Sequence, residues 1–519
     1  MSTKVLITNL GQLKTKYGSG VSQIKSAINR LIKADAARGI KTKLIEIDDP
    51  TQMQGLSAAG VTSASNYRQN KAAVDAVNKA LVPDYIAILG APDVIPHQNI
   101  INPLHGDSDP DEIAWGDIPY ACEAPYSQDP KDFIGPTRVV GRVPDIQHGT
   151  DPAYLVKVLT RTADWKSHSV DQYQSYLGIS AKVWHNSTAL NLLNVFGSNQ
   201  DLQDAPPRGP NWPPPLLTRL SHFINCHGAP SDPHFYGQQG NSYPVSHDAT
   251  LIDGRLKVGT VVAAECCYGA ELYDPTAVVG QQIGICSTYL ANGAYGFLGS
   301  TTIAYGPADS NASADLICQY FFNSLLTGAS LGRATLVARQ QFAKSTPELG
   351  PEDLKTIAQF NLLGDPSIQP VETPALHESL DLIKRVRVER KKMQPEAYER
   401  ENRRRQLLLQ GSQIYQTQAT ASQIHSAKMS PNIAKAMRQI AEESGLGSPE
   451  YMSFAIERPA ISGMKRRFAV LAEKMSTPSA FHVAAERFPT KETGIFQISL
   501  LVVKEQDGQI ISVRKLVSR

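Results

Sequence analysis

The regular alternation of short apolar runs with amphipathic helical segments constrains the fold of this chain most strongly. It begins with "KVLITNL", continues with the helical "SGVSQIKSAINRLIKADAARG" and returns to an apolar run in "KTKLIEIDD". Further strand candidates are "DYIAILG" (84–90), "TRVVGRVP" (137–144), "YLGISAKVW" (176–184), "HFINCHG" (222–228), "TVVAAECC" (260–267) and "GAYGFLGST" (293–301). Such alternation is typical of an α/β fold with a mostly parallel sheet sandwiched by helices. In that fold, functional groups gather at the carboxyl ends of the strands.

Length and changes of composition divide the chain into four parts. At 519 residues it is too long for one compact core, so we predict two sub-lobes, residues 1–165 and 166–372. Dense charge in "IKRVRVERKK" and "ERENRRRQ" indicates a charged helical linker over 373–430. The helix candidate "SPNIAKAMRQIAEESG" and four strand candidates after it predict a small α+β module over 431–519. The strand candidates are "YMSFAIE", "AFHVAAERF", "FQISLLVVKE" and "IISVRKLV".

Composition and charge argue against several classes of partner. Lys and Arg number 51 against 49 Asp and Glu, so the net charge of +2 creates no field that would attract nucleic acid or an acidic membrane. The opening "MSTKVLITNL" has no secretory signal pattern, and no run of eighteen apolar residues occurs. We therefore expect a cytoplasmic protein with no nucleic-acid or membrane partner. The six cysteines are too few for a disulfide scaffold in so long a chain.

A cysteine and a histidine follow two of the predicted strands. A catalytic cysteine needs a neighbouring base, most often histidine. His227 precedes Cys267 by 40 positions, which is enough for one crossover between adjacent parallel strands. Both side chains would then emerge at one sheet edge. The backbone N–H groups of Gly228 and Cys267 are candidates for an oxyanion hole.

Of the two adjacent cysteines, Cys267 is the better nucleophile candidate. Neighbouring strand residues face opposite ways, so Cys266 and Cys267 cannot both point into one site. Cys267 is nearer the strand end and is followed by "YG", a turn that would expose it. Two other interpretations stay open: the pair lies in the core, or Cys226, His227, Cys266 and Cys267 bind zinc. The zinc alternative lacks CxxC spacing, so no metal site is predicted.

The chain resembles the gingipain-like cysteine peptidases of the caspase-like clan. In that clan one strand ends in His-Gly and a later strand ends in the nucleophilic cysteine, and "FINCHG" and "VVAAECCYGA" match both patterns. The caspase pattern Q-A-C-x-G also aligns its cysteine with Cys267. Similar segments recur in the family's order across residues 1–372. These segments are "DYIAILGAPDVIP", "GDIPYA", "VVGRVP", "GAYGFLGSTTIAYG", "ASLGRA" and "FNLLGDPSIQP".

The resemblance implies a fold and an activity. Residues 1–165 would form a gingipain-like sub-lobe without catalytic residues, and residues 166–372 the caspase-like catalytic sub-lobe. Cys267 and His227 would hydrolyse peptide bonds of protein or peptide substrates through a thioester, with no cofactor in the chemistry; the resemblance does not decide a calcium requirement.

One feature of the family is missing from its expected place. Gingipains specific for arginine or lysine have an acidic pocket residue in a segment that corresponds to 181–199, which here contains no Asp or Glu. Asp201, Asp204 and Asp232 are candidate substitutes, but each is better explained as a surface loop residue. No residue preference at the cleavage site follows from the sequence.

An intracellular peptidase must be restrained, and other functions of the same residues stay open. We expect a zymogen or a protein controlled by an activating or inhibitory partner, with the basic linker as a candidate processing region. A role in bacterial defence or cell death is an analogy with related peptidases. The alternatives are a catalytically inactive caspase-like scaffold or binding protein and a cysteine-dependent acyl transferase or amidase.

Overall fold

The computed structural model describes residues 2–346, 349–372, 424–426, 428–456, 479–490 and 495–519. Strands in these ranges are β1 Ser2–Thr8, β2 Ile40–Glu46, β3 Tyr85–Leu89, β4 Gln98–Ile101, β5 Ile113–Gly116, β6 Val140–Val143, β7 His168–Ser169, β8 Tyr176–Ala181, β9 Leu202–Ala205, β10 Ser221–Asn225, β11 His227–Gly228, β12 His234–Tyr236, β13 Val245–Asp248, β14 Val261–Ala264, β15 Gly296–Ser300, β16 Tyr305–Gly306, β17 Phe360–Leu363, β18 Val371–Glu372, β19 Ile424–Ser426, β20 Glu450–Ile456, β21 Ser479–Pro489, β22 Phe496–Gln506 and β23 Gln509–Ser518.

Helices connect and cover these strands. They are α1 Leu10–Tyr17, α2 Val21–Ala37, α3 Pro50–Gln54, α4 Tyr67–Leu81, α5 Ile118–Ala121, α6 Ala153–Ala163, α7 Val170–Gln174, α8 His185–Phe196, α9 Pro214–Leu217, α10 Ala249–Ile252, α11 Ile285–Ala291, α12 Ser313–Leu326, α13 Leu331–Ser345, α14 Pro351–Gln359 and α15 Pro431–Glu443. Short 3₁₀ turns lie at Gly18–Gly20, Pro130–Phe133, Lys182–Trp184 and Pro275–Ala277.

A ten-stranded sheet forms the centre of the molecule, in the order β2-β1-β3-β6-β17-β15-β14-β10-β8-β9. All described pairings within it are parallel except β15 with β17, so two parallel blocks run in opposite directions. Strands β8, β10, β14 and β15 are buried along their whole length. Burial on both faces explains why their sequences are almost continuously apolar. The predicted α/β sheet sandwiched by helices is confirmed.

The sheet runs without a break across residue 165. Strands β1, β2, β3 and β6 come from residues 1–165 and join the other six through β17. Because β17 follows the second block in sequence and pairs with both blocks, it closes the sheet between them. The division at 165/166 stays a prediction.

A second sheet follows in the predicted C-terminal module, with the order β16-β23-β22-β21-β20-β19 and antiparallel pairing throughout. Helix α15 packs on it through Met437 and Ala441, which belong to one apolar cluster with Leu501 and Val503. The helix and the four strands predicted for this module are confirmed. Its edge strand β16 belongs to the larger part of the chain, so the module is joined to that part by main-chain pairing. Most of the predicted linker, residues 373–423 and 427, lies outside the described residues.

Candidate active site

Two strand ends bring the predicted histidine and cysteine together. Strands β10 and β14 are parallel neighbours, with Ile224 opposite Ala264. Beyond them the main chains of Gly228 and Cys267 come into direct contact. A Cβ at position 228 would overlap the carbonyl oxygen of Cys267 and lie 2.9 Å from its carbonyl carbon, so only glycine fits there. His227 and Cys267 therefore lie just beyond the carboxyl ends of two adjacent parallel strands, at one edge of the sheet.

The two adjacent cysteines face different surroundings. Cys266 is fully buried in the central core, with Sγ 3.8 Å from the carbonyl oxygen of Ile224. The Sγ of Cys267 accepts a hydrogen bond from the N–H of Ala304 at 3.3 Å. Strand alternation is the wrong reason for this difference, because β14 ends at Ala264 and both cysteines lie in the following turn. That turn is fixed by Tyr268, whose φ of 53° is left-handed.

Cys267 is not exposed by this turn, which corrects the sequence-based expectation. Only 3% of the residue is accessible. It packs in an apolar cluster with side chains of the C-terminal sheet, among them Leu500, Val502 and Leu516. The module therefore lies directly over the thiol.

The ring of His227 is held by a glutamine. Its Nε2 lies 2.7 Å from Oε1 of Gln238, and the Gln238 amide nitrogen donates to the carbonyl of Gly240 and the hydroxyl of Tyr243, both at 3.0 Å. These two bonds fix which end of the amide faces the ring. Because an amide oxygen only accepts, Nε2 of His227 carries the proton and Nδ1 is the basic nitrogen. The ring also packs on Trp184 at a centroid distance of 4.3 Å.

Burial keeps both groups neutral in this state. It raises the pKa of the Cys267 thiol to about 12, although the Ala304 N–H favours the thiolate. Burial lowers the pKa of His227 to about 4; the bond to Gln238 opposes this, and the positive charge of Arg519 adds to it. At neutral pH the site therefore holds a thiol and a neutral imidazole, with a base available and no preformed thiolate.

The cleft beside Cys267 is filled by residues 517–519. The main-chain oxygen of Arg519 accepts from the N–H of Cys267 at 3.1 Å and from the N–H of Gly228 at 3.5 Å. The N–H of Arg519 donates to the carbonyl of Ala304 at 3.0 Å. The segment continues as an antiparallel ladder on β16, with Ser518 opposite Tyr305 and Val517 opposite Gly306.

The side chain of Arg519 enters a closed pocket. Its Nη2 donates to Asp315 Oδ1 at 2.8 Å, to the carbonyl of Pro307 at 2.7 Å and to Ser187 Oγ at 3.3 Å. The guanidinium carbon lies 4.6 Å from the centroid of the Trp184 ring. Arg519 is 1% exposed and Asp315 is fully buried.

The acidic candidates from the sequence lie elsewhere. Asp201 pairs with Arg219, Asp204 with His185, and Asp232 with His234. Within the described ranges, no group of three or more His, Cys, Asp or Glu side chains has the arrangement of a metal site.

Two residues of the site, Gln238 and Asp315, were not predicted from the sequence. Gln238 is a polar residue in a loop and carries no motif. Asp315 reads as an N-terminal helix cap, and it does accept from the N–H of Ala312 at 3.3 Å. One feature of the sequence could have indicated Asp315. It lies at the start of the strongly apolar helix α12, where a charged side chain is buried only together with a partner.

Comparison with known families agrees with this geometry. Residues 218–371, which include both strand ends, match the model of Peptidase family C25. This match supports a gingipain-like cysteine peptidase of the caspase-like clan. The match indicates a cysteine endopeptidase that acts on protein or peptide substrates. It covers less than a third of the chain. A search of curated proteins finds no match. No helix in the described part of this chain is both long and apolar enough to cross a membrane.

Proposed function

We propose that this peptidase cleaves peptide bonds with Cys267 as nucleophile and His227 as general base and acid. One observation carries the proposal: the N–H groups at two strand ends, Gly228 and Cys267, both donate to a single main-chain oxygen beside the thiol. Two backbone donors on one carbonyl form the arrangement that stabilises the oxyanion of acyl transfer. Residues 517–519 therefore indicate how a substrate strand would lie along β16, with its carbonyl in place of the Arg519 oxygen.

The chemistry follows from the neutral state of the two groups. Nδ1 of His227 accepts the proton of the Cys267 thiol while Sγ forms a bond to the carbonyl carbon, and the carbonyl oxygen takes the electron pair within reach of the two N–H groups. Collapse of this intermediate breaks the C–N bond, and the amine leaves with the proton from His227. Water then attacks the thioester, giving a proton to His227, and the C–S bond breaks to return the thiol.

Gln238 has a positioning role in this scheme. Its acceptor oxygen keeps the proton on Nε2 and leaves Nδ1 free to act as base. The bond to this neutral side chain favours the protonated imidazole without adding a negative charge to the site, as a carboxylate would.

Access to the site is restrained in this proposal. Cys267 and His227 are 3% and 1% exposed, and the ladder on β16 is already made by β23. A peptide and residues 517–519 compete for the same donors, so residues 517–519 must leave before a substrate binds. Processing within 373–430, a separate activating or inhibitory partner, and a role in defence or cell death stay predictions.

The test compares variants in the full chain. Cys267→Ala and His227→Ala are each combined with Arg519→Ala, which weakens the internal occupant, and all are incubated with a fluorogenic peptide library. Cys266→Ala is the matched control because it removes the neighbouring thiol. We expect cleavage by Arg519→Ala and by its Cys266→Ala combination, with at least roughly a 10³-fold loss on removal of Cys267 or His227.

Two results would overturn the proposal. Cleavage that persists when Cys267→Ala is combined with Arg519→Ala would show that Cys267 is not the nucleophile. Labelling of Cys267 by a thiol probe without cleavage of any peptide would favour the acyl transferase or amidase alternative.

A further inference from the structure

The pocket around the side chain of Arg519 is a built site for a guanidinium group. It supplies a carboxylate, a carbonyl and a hydroxyl to one nitrogen, from Asp315, Pro307 and Ser187 respectively. The plane of Trp184 adds a cation–π contact at 4.6 Å. All four groups belong to the part of the chain that carries Cys267, whereas Arg519 belongs to the C-terminal sheet.

We propose that Asp315 selects arginine before the scissile bond and that residues 517–519 are an internal, substrate-like occupant of the cleft. This inference rests on the proposed function of Cys267 and His227. Peptides with arginine as the residue whose carbonyl is attacked are the substrate class.

The main-chain contacts fix which residue enters the pocket. The oxygen held by Cys267 and Gly228 belongs to Arg519 itself, so the guanidinium pocket serves the residue on the acyl side of the attacked bond. Ser518 and Val517 then take the two preceding places along β16. The peptide that reproduces this occupant is Leu-Val-Ser-Arg, the sequence of residues 516–519.

The carboxylate comes from an element other than the one that the resemblance indicates. Residues 181–199 do line the pocket through Trp184 and Ser187, but they contain no acidic residue. The charge is supplied by helix α12, more than a hundred residues later. Ser187 joins the two walls by donating to Asp315 Oδ1 at 2.7 Å.

A second carboxyl group lies close to Asp315. Glu265 is fully buried and accepts from Asn191 at 2.8 Å. Burial raises its pKa well above the ordinary value, and the negative charge of Asp315 adds to this effect. Asp315 is the one carboxylate among the described residues that pairs with the side chain of Arg519.

The pocket distinguishes arginine from lysine and from neutral residues. A planar guanidinium stacks on Trp184 while it donates to Asp315, whereas an ammonium is a compact point charge that does not stack in this way. A neutral side chain would leave the carboxylate of Asp315 buried without its cation. Gly306 gives the side chain room, because a Cβ there would lie 2.6 Å from Arg519 Nε and 2.7 Å from Asp315 Oδ2.

The experiment measures kcat/KM on three coumarin amides, acetyl-Leu-Val-Ser-Arg and the same peptide ending in Lys or Ala. The enzymes are the wild-type chain, Arg519→Ala, and Arg519→Ala with Asp315→Asn. Asp309→Asn replaces Asp315→Asn in the control, since Asp309 is an exposed aspartate shortly before α12. Arg438→Ala, an exposed arginine of α15, is the control for Arg519→Ala.

We expect Arg519→Ala to be at least tenfold more active than wild type and to prefer arginine over alanine by roughly 10³-fold or more, and over lysine by roughly tenfold or more. Asp315→Asn should lower cleavage after arginine by roughly 10²-fold, whereas cleavage after alanine should not fall, because no buried carboxylate is then left without its cation. The two control variants should change each value less than twofold.

Failure of the inference is distinguishable from failure of the proposed function. Cleavage that depends on Cys267 but shows no preference for arginine in Arg519→Ala would overturn the specificity, even if Asp315→Asn does not fold. If the wild-type chain is as active as Arg519→Ala, residues 517–519 do not block the substrate site, and this part of the inference is wrong. Absence of any cleavage that depends on Cys267 would instead overturn the proposed function.

Discussion

The rate at which Cys267 reacts with iodoacetamide reports how tightly residues 517–519 close the cleft. In the closed state the thiol is 3% exposed, and burial raises its pKa to about 12, so alkylation requires opening. Arg519→Ala removes the buried ion pair and the other side-chain contacts that hold the closed state together. The main-chain bonds of residue 519 and the ladder of β23 on β16 are retained.

The magnitude follows from the contacts that are lost. Breaking a buried ion pair by removing one partner costs about 3–5 kcal/mol. The lower value applies here, because Asp315 keeps the hydrogen bonds from Ser187 Oγ and the Ala312 N–H and gains water when the cleft opens. About 3 kcal/mol shifts the opening equilibrium roughly 10²-fold. Alkylation of Cys267 should therefore be about 10² times faster in Arg519→Ala than in wild type.

The assay is peptide mapping by mass spectrometry after timed exposure to iodoacetamide at pH 7.5. Cys266, which is fully buried in the core, is the internal reference and should stay unmodified in both proteins. Arg438→Ala should match wild type within twofold. Equal alkylation rates in wild type and Arg519→Ala would show that the Arg519 side chain does not hold the cleft closed. A wild-type rate typical of a free thiol would show that Cys267 is not covered at all.

Three further predictions follow from the site. Gln238→Glu places a carboxylate beside His227, which raises the pKa of the imidazole. The acid limb of kcat/KM should therefore move to higher pH by at least about one unit, whereas Gln239→Glu, at an exposed position, should not move it. Gly306→Ala blocks the guanidinium pocket and should lower kcat/KM on the arginyl peptide roughly 10²-fold, measured in the Arg519→Ala background. Burial raises the pKa of Glu271 to about 7, against about 4.3 in an unfolded chain, so this carboxyl destabilises the fold as pH rises between those values. Glu271→Gln should therefore leave the free energy of unfolding unchanged at pH 4 and raise it by roughly 4 kcal/mol above pH 7, as urea unfolding at the two pH values would show.

The sequence predicted the framework of the site because that framework depends on local patterns. The apolar runs predicted strands β10 and β14. The number of residues between His227 and Cys267 predicted one crossover between these two strands. The end of β14 was predicted three residues too late, since Cys266 and Cys267 continue the apolar run but lie in the turn that Tyr268 fixes. Hydrophobicity alone does not distinguish the last residues of a buried strand from a buried turn.

The pocket and its occupant depend on contacts that no local pattern records. Asp315 and Arg519 are separated by 204 positions and meet because β23 pairs with the two-residue strand β16. The alternation in "IISVRKLV" predicted β23 but did not indicate a partner in another part of the chain. Burial of Cys267 followed from the same pairing, which explains why the expected exposure was wrong.

The most direct test of the account is covalent trapping with Leu-Val-Ser-arginyl chloromethyl ketone. The Arg519→Ala chain is exposed to this reagent and, in parallel, to the analogue that ends in alanine, and the adducts are mapped by mass spectrometry. We expect one adduct, on Sγ of Cys267, that forms at least roughly tenfold faster with the arginyl reagent and loses this preference in Asp315→Asn. An adduct on another residue, or equal labelling of Cys267 by both reagents, would contradict it.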